Sequence, residues 1–407
     1  MRVCMVTLGY PRDEGDFAGI FVKGVAEGVA RAGVDVTVVC PHDRGIPVRE
    51  VRGGVDIRRF PYFLPTGLQC LAYGSGIAVN LREHRLALPQ VPLLAGAGAA
   101  EVLRATAGAD VIHAFWSLSG VMAAPAVRWR RIPMQLKLLG SGIRSAPRAL
   151  NRIALRHADA VEFGRGSLDE ELAPYGYDGP VLDIRAWPLF ERLESAERLD
   201  PDLAAWCAAA KHVVTFVARF VPFKDPVGVI RAVPHVLAER PRTRFLMVGD
   251  GPLRPEVEYL ADELGVRESV RLTGTRYDVG PILQATTVAV ANSPVTNCFS
   301  SSILEPLYLG VPAVITDAQD PTGAFKRKDY VELVRPEDPK DLARGVLRVL
   351  ADPALRERRS RVGRELLTDL GFDHQVILER TLASYENLAR RRGRPRGCRP
   401  AKETRSL

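Results

Sequence analysis

The chain alternates short apolar runs with longer segments whose apolar residues recur at helical spacing. "RVCMVTLG" reads as a buried first strand, and "AGIFVKGVAEGVARAG" reads as a helix stopped at Gly33. "DVTVVCP" reads as the second strand. "DVIHAFW", "MQLKLLGSG", "ADAVEFG" and "VLDIRAWP" are further short runs that end near Gly, Pro or a polar turn. Apolar strands separated by helices predict a parallel sheet covered on both faces. Around 190–210, "FERLESAERLDPDLAAWCAAAK" is polar and has no strand pattern, so it reads as a linker. The alternation then restarts. "HVVTFVARF", "TRFLMVGDGP", "SVRLTGT", "TVAVAN" and "PAVITD" read as strands, and "DPVGVIRAVPHVLAER", "RPEVEYLADELG" and "SSILEPLYLG" as helices. "FDHQVILERTLASYENLARR" reads as one last amphipathic helix. The pattern therefore predicts an α/β protein of two doubly wound, Rossmann-like domains facing across a cleft. In such sheets ligands bind beyond the carboxyl ends of the strands.

Length agrees, since 407 residues exceed one ordinary core and suit two domains. With 46% hydrophobic and 26% charged residues the chain reads as soluble and globular. No apolar run is long enough to cross a bilayer, and "MRVCMVTLGYP" reads as a strand rather than a signal peptide. The six cysteines are scattered with no C-x-x-C pair, which argues against a zinc site or a disulfide framework and for a reducing cytoplasm. The formal charge is +8, and the tail from Arg390 onward carries a net +7 of it. A basic, Gly/Pro-rich end of this kind is expected to be disordered and solvated, with anionic lipid or nucleic acid as alternative partners.

Four stretches carry candidate chemistry. In "TNCFSSSILEPLYLG", Ser300, Ser301 and Ser302 fall at a helix start, where free backbone N–H groups and the helix dipole favour an anion such as phosphate. Glu305 lies about one turn further in, within reach of a sugar hydroxyl beside that phosphate. The competing reading is serine capping plus an exposed helix glutamate. In "VARFVPFKD", Arg219 and Lys224 follow a strand at its carboxyl end and could clamp a diphosphate, or be ordinary surface charge. "MVGDGP" and "GTRYD" are strand-end loops in which Gly249 and Gly251 permit a tight turn and close backbone approach to a ligand such as the donor, and neither is a dinucleotide fingerprint. In "DVIHAFW", His113 sits near a strand end; a lone histidine there is more often a core residue than a catalytic one. No nucleophile motif or metal-binding acidic cluster stands out.

Taken in order, "YPRDEGDFAGIFVKGVAEGVARAGVDVTVV", "FVARFVPFKDPVGVIRAV", "FLMVGDGPLRPEVEYLADELGV" and "SILEPLYLGVPAVITD" resemble the GT-B-fold retaining glycosyltransferases. The resemblance covers most of residues 1–390. It implies an acceptor-binding first domain over 1–195, a nucleotide-sugar-binding second domain over 208–371, and a final helix over 372–392 that crosses back onto the first domain. Residues 393–407 are the basic tail. It places Gly19 near the donor diphosphate, although Ala18 stands where the family has a first glycine. It gives Arg219 and Lys224 the donor phosphates, and Thr275 and Arg276 in "GTRYD" the base. The amides of Ser301 and Ser302 take phosphate, and Glu305 takes the ribose. Asn297 replaces the first glutamate of the family's pair, the one that contacts the donor sugar. Phe115 replaces the second histidine of an H-x-H, of which His113 is the first.

The implied activity is hexosyl transfer from a nucleoside diphosphate sugar to an acceptor hydroxyl with retention, in glycan or glycoconjugate synthesis. Arg219, Lys224 and the helix start stabilise the leaving diphosphate, with His113 and Glu305 as further catalytic candidates and no metal or other cofactor expected. The expected location is cytoplasmic, with peripheral contact to a membrane left open, no specific nucleic acid, and an unidentified acceptor. The segment 63–98 could form an acceptor- or lipid-facing flap, or a core helix pair. Two competing readings are a nucleotide-sugar epimerase, which needs a proton-abstracting array, and a degenerate, non-enzymatic binding protein.

Overall fold

A computed structural model describes residues 1–391 apart from 75, 139–142, 144–145, 163–170, 195–197, 296–299, 321–322 and 329. Asn297 and the basic tail therefore lie outside the described residues. The chain divides into two compact units, Met1–Trp187 with the segment from His374, and Pro188–Asp373.

The first unit holds strands β1 (Arg2–Val6), β2 (Asp35–Pro41), β3 (Arg49–Arg52), β4 (Val55–Phe60), β5 (Val111–Phe115), β6 (Met134–Lys137), β7 (Ala160–Glu162) and β8 (Val181–Leu182). Its helices are α1 (Ile20–Arg31), α2 (Ile77–Glu83), α3 (Ala87–Ala105), α4 (Ser117–Arg130) and α5 (Arg148–His157). The sheet order is β3-β4-β2-β1-β5-β6-β7-β8, parallel except for the β3–β4 hairpin. One apolar layer joins the sheet to α3, α4 and α5. The other joins it to α1 and the C-terminal helix.

The second unit holds α6 (Pro201–Ala208), β9 (His212–Val217), α7 (Pro226–Glu239), β10 (Thr243–Val248), α8 (Arg254–Glu263), β11 (Val270–Gly274), α9 (Val279–Gln284) and β12 (Val288–Ala291). There follow α10 (Ser301–Tyr308), β13 (Ala313–Thr316), α11 (Ala324–Lys328), β14 (Glu332–Val334), α12 (Pro339–Ala351) and α13 (Pro353–Asp369). The sheet runs β11-β10-β9-β12-β13-β14 and is parallel throughout, with apolar layers on both faces. The last helix, α14 (His374–Arg390), packs against β5 and α1 of the first unit, burying Ile377, Tyr385 and Leu388.

The structure sharpens these expectations. The division falls at Trp187/Pro188, earlier than 195, and 188–208 is not a bare linker. Leu193, Leu203 and Cys207 are buried in the second core, and Asp200 caps α6 by accepting from the Leu203 N–H. Few apolar anchors in a polar run were enough to fold it down. In the segment 63–98 the helix-pair alternative is what forms. It contains α2 and most of α3, with Leu94 buried and Gln90 tying the preceding loop to the helix through the Leu68 carbonyl and the Cys70 N–H. The β3–β4 hairpin was invisible because arginines line it, several of them paired with Asp56 and Glu50.

Candidate functional site

In the second sheet the chain moves from β9 outward to β10 and β11, then returns to place β12 on the other side of β9. That reversal is a switch point, where the loops after two adjacent strands part to opposite faces and leave room for a ligand. The loop after β9 carries Arg219 and Lys224, and the loop after β12 leads into α10. Hydrogen bonds join the two. The Asn292 amide donates to the Asp225 carboxylate at 2.8 Å, and the Ser293 hydroxyl donates to the Phe223 carbonyl at 2.6 Å. Asp225, in a left-handed conformation (φ 47°), also caps α7 by accepting from the Gly228 N–H at 2.8 Å. Arg219 is exposed, and Lys224, in the 3-10 turn Pro222–Lys224, is half-buried.

Gly249 and Gly251 have φ of 140° and 156°. A Cβ at either would overlap the carbonyl oxygen of Ala218 or Phe220. These glycines therefore let the loop after β10 lie against the one that bears Arg219, which is a backbone-packing role. Beyond β11, Thr275 is exposed, and Arg276 donates twice to Asp278, at 3.0 and 2.7 Å.

Ser300 is the N-cap residue of α10, but its side chain accepts no capping bond; its hydroxyl lies 2.7 Å from that of Ser302. The serine-capping alternative is thus not what forms. Nor is Glu305 an exposed helix glutamate. It is 1% exposed, and its Oε1 accepts from Arg192 Nη2 at 2.5 Å. Its Oε2 is buried with no hydrogen-bond partner among the described residues. Burial pushes the Glu305 carboxyl above the ordinary range, and the Arg192 charge and hydrogen bond pull it back. Arg192 belongs to the 3-10 turn Phe190–Leu193, in the polar run read as linker, and nothing in the sequence singled it out.

In the first unit, Gly19 (φ 67°) is the N-cap of α1, and a Cβ there would overlap the Gly9 carbonyl oxygen. Its lack of a side chain lets the loop after β1 close on itself beside the β1/β5 switch point.

His113 is fully buried on β5. Its Nδ1 is 2.6 Å from the Tyr385 hydroxyl, its Nε2 is 3.1 Å from Glu162 Oε2, and its ring stacks on Phe115 at 4.3 Å. Glu162 also accepts from Gln135 at 2.6 Å and pairs with Lys137, whose ammonium donates to the Arg185 carbonyl. The Ser384 hydroxyl donates to Gln135 Oε1 at 2.7 Å. Burial and the nearby Lys137 charge hold His113 well below the ordinary histidine value, so it is neutral. The catalytic expectation for His113 gives way to a core role: the cluster fastens α14 to the sheet and leaves the ring no face for a ligand.

Two parallel-sheet, Rossmann-like units, with the last helix returned to the first, define the two-domain GT-B class. Comparison with known proteins agrees. Residues 208–366 match the family of glycosyl transferases group 1, and residues 18–181 match the glycosyl transferase 4-like domain. The two matches lie one in each unit, and together they support a group 1 glycosyltransferase. It is 38% identical over 182 residues to the lipopolysaccharide core biosynthesis glycosyltransferase LpsD of Rhizobium meliloti, a match that takes in 44% of this chain and 50% of that protein. The chain thus spans about half the length of this curated relative. Sucrose-phosphate synthase from Thermosynechococcus elongatus superposes with a TM-score of 0.74 at 21% identity, over 95% of this chain and 98% of that one. Anabaena HepE, solved with UDP-glucose, superposes with a TM-score of 0.69 at 17% identity, over 95% and 100%. At these identities the two structures speak for the fold.

Proposed function

We propose that the chain transfers a sugar from a nucleoside diphosphate sugar to an acceptor hydroxyl, with retained configuration, in the synthesis of a polysaccharide or lipopolysaccharide. The observation that carries this reading is the second sheet's switch point. There a helix start with no side-chain cap among the described residues, a buried half-engaged carboxylate on that helix, and two cations on the neighbouring strand's loop lie on segments whose loops are bonded to each other. LpsD's role in lipopolysaccharide core synthesis supports the product class, and the UDP-glucose complex of HepE supports the donor class.

In this reading the amides of Ser301 and Ser302 and the cations Arg219 and Lys224 stabilise the departing diphosphate. The bond from the anomeric carbon to the diphosphate breaks as the bond to the acceptor oxygen forms. The acceptor proton passes to an oxygen of the leaving phosphate. No protein base is required, which fits a His113 sealed in the core. The two cations take the charge-neutralising part that a divalent metal plays elsewhere. Glu305 receives the donor's ribose, and Thr275 and Arg276 flank the base. A lipid-linked acceptor would bring peripheral membrane contact; among the described residues no helix is long and apolar enough to cross a membrane.

The test is a thermal-shift panel of UDP, GDP and ADP, each with and without its sugar, followed by Lys224→Ala. One nucleotide should raise the melting temperature. Lys224→Ala should weaken that binding and lower transfer about a hundredfold, the worth of one preorganised charge contact at a leaving group. Unchanged transfer in the variant would remove the charge-clamp argument.

A further inference from the structure

The strongest feature outside the expected set is Arg192. We infer that Arg192 is a positioning residue for the donor, engaging one oxygen of the Glu305 carboxylate so that the other is left for a ribose hydroxyl. This rests on the reading of Glu305 as a donor contact and adds what makes that contact work.

Arg192 is held on the helix that carries Glu305. On one side of it in the same turn, the Phe190 ring stacks on Tyr308 of α10 at 4.1 Å. On the other side, Leu193 is fully buried, with its backbone packed against Gly280, and Glu194 accepts from the Tyr308 hydroxyl at 2.5 Å. Tyr308 is clamped from its far side by Arg364, whose guanidinium lies 4.5 Å from the ring centre and whose Nε donates to the Tyr308 carbonyl. The turn and the helix therefore move as one piece, and the guanidinium keeps its register on the carboxylate.

A carboxylate 1% exposed would protonate without a cation beside it. Among the described residues Arg192 is the charged group that acts on Glu305. The strands packed against α10, β12 and β13, present Val, Ala, Ile and Thr316. From α13, Arg364 is spent on Tyr308 and Arg359 on Glu332. Glu194 is engaged by Tyr308. A purely structural pair would engage both carboxylate oxygens, because an orphaned buried acceptor is costly. Here Oε2 is left over. A ribose supplies hydroxyl donors that can fill that position.

The experiment measures UDP, GDP and ADP binding to the full chain by calorimetry from pH 5.5 to 8.5, in wild type, Arg192→Met, Arg192→Lys and Glu305→Gln. For the nucleotide that binds, Arg192→Met should weaken affinity at least tenfold at pH 7. Its affinity should fall away on the acid side at a higher pH than in wild type, because Glu305 now gains its proton earlier. Arg192→Lys should restore most of the affinity and the wild-type pH profile. Glu305→Gln should bind weakly and keep only the acid-side change that the nucleotide's own terminal phosphate causes. If Arg192→Met does not fold, Arg192→Gln carries the same expectation. Wild-type affinity and pH profile in the Met or Gln variant, with Glu305→Gln weakened, would overturn the role of Arg192 and leave the donor reading intact. Wild-type binding in Glu305→Gln, with Lys224→Ala weakened, would remove Glu305 from the donor site and the inference with it.

Discussion

Glu162 in the first unit and Glu305 in the second are both 1% exposed, and their surroundings differ in kind. Glu162 has every near neighbour occupied: Lys137 on one oxygen, Gln135 and the edge of His113 on the other. Its network continues through Gln135 to Ser384 and through His113 to Tyr385, both on α14. Glu305 has Arg192 on one oxygen and no described partner on the other. A carboxylate engaged on both oxygens helps hold a fold together, because its desolvation is met inside the protein, although the neighbouring His113 Nε2 makes no hydrogen bond among the described residues. A network closed on one side and open on the other carries an unmet cost in the free protein, which a ligand can relieve. The first pattern marks the seam between the sheet and the last helix; the second is where the proposed donor contact would fall.

The largest effect that can break this contrast is on stability. Glu162→Ala leaves Lys137 buried without its carboxylate and should cost about 3–5 kcal/mol, read by denaturant unfolding. The folded fraction should still bind nucleotide with wild-type affinity. A cost below about 1 kcal/mol would mean that the cluster is not what holds α14 down. Glu305→Gln should act in the opposite sense. Nucleotide affinity should fall about tenfold, roughly 1.4 kcal/mol and the scale of one hydrogen bond to a charged group, with a smaller stability change than Glu162→Ala.

The smallest effect is a pH slope. His113 is neutral in the fold, with its value lowered well below 6.5 by burial. Above pH 6.5 neither state carries the proton. As the pH falls below that point the unfolded chain binds it first, so stability is lost on the acid side until the folded-state value is reached. The loss runs at up to about 1.4 kcal/mol per pH unit. His113→Asn should flatten that part of the profile, and an unchanged slope would assign it to other groups.

Much of the fold was readable. Apolar runs without alternation pointed to buried parallel strands, and helical periodicity between them to two covered sheets. What escaped was held by charge. The β3–β4 hairpin hides behind arginines that pair with Asp56 and Glu50. The boundary near Trp187 depends on that indole filling the space left by Gly24 and Gly28 of α1 and stacking on His374 at 4.5 Å, contacts with no local signature. The core cluster did leave a trace. In register, His113 faces Gln135, and Lys137 faces Glu162. Polar residues at those positions inside "VIHAF", "MQLK" and "AVE" mark one polar stripe across three buried strands. Lone-residue reasoning about His113 missed it because the stripe appears once the strands are aligned. For the candidate site, the helix start at Ser301 and the strand-end position of Arg219 and Lys224 were legible in the sequence. Glu305 was found without its burial, and Arg192 was not found, since its partner lies 113 residues away in sequence.

The most direct test is a crystal structure of the chain with the nucleoside diphosphate that the binding panel selects. The account predicts the diphosphate at the N-terminus of α10 against the amides of Ser301 and Ser302, and a ribose hydroxyl on Glu305 Oε2, with Arg192 still on Oε1. A nucleotide bound away from α10, or a Glu305 that keeps Arg192 and meets no hydroxyl, would contradict it.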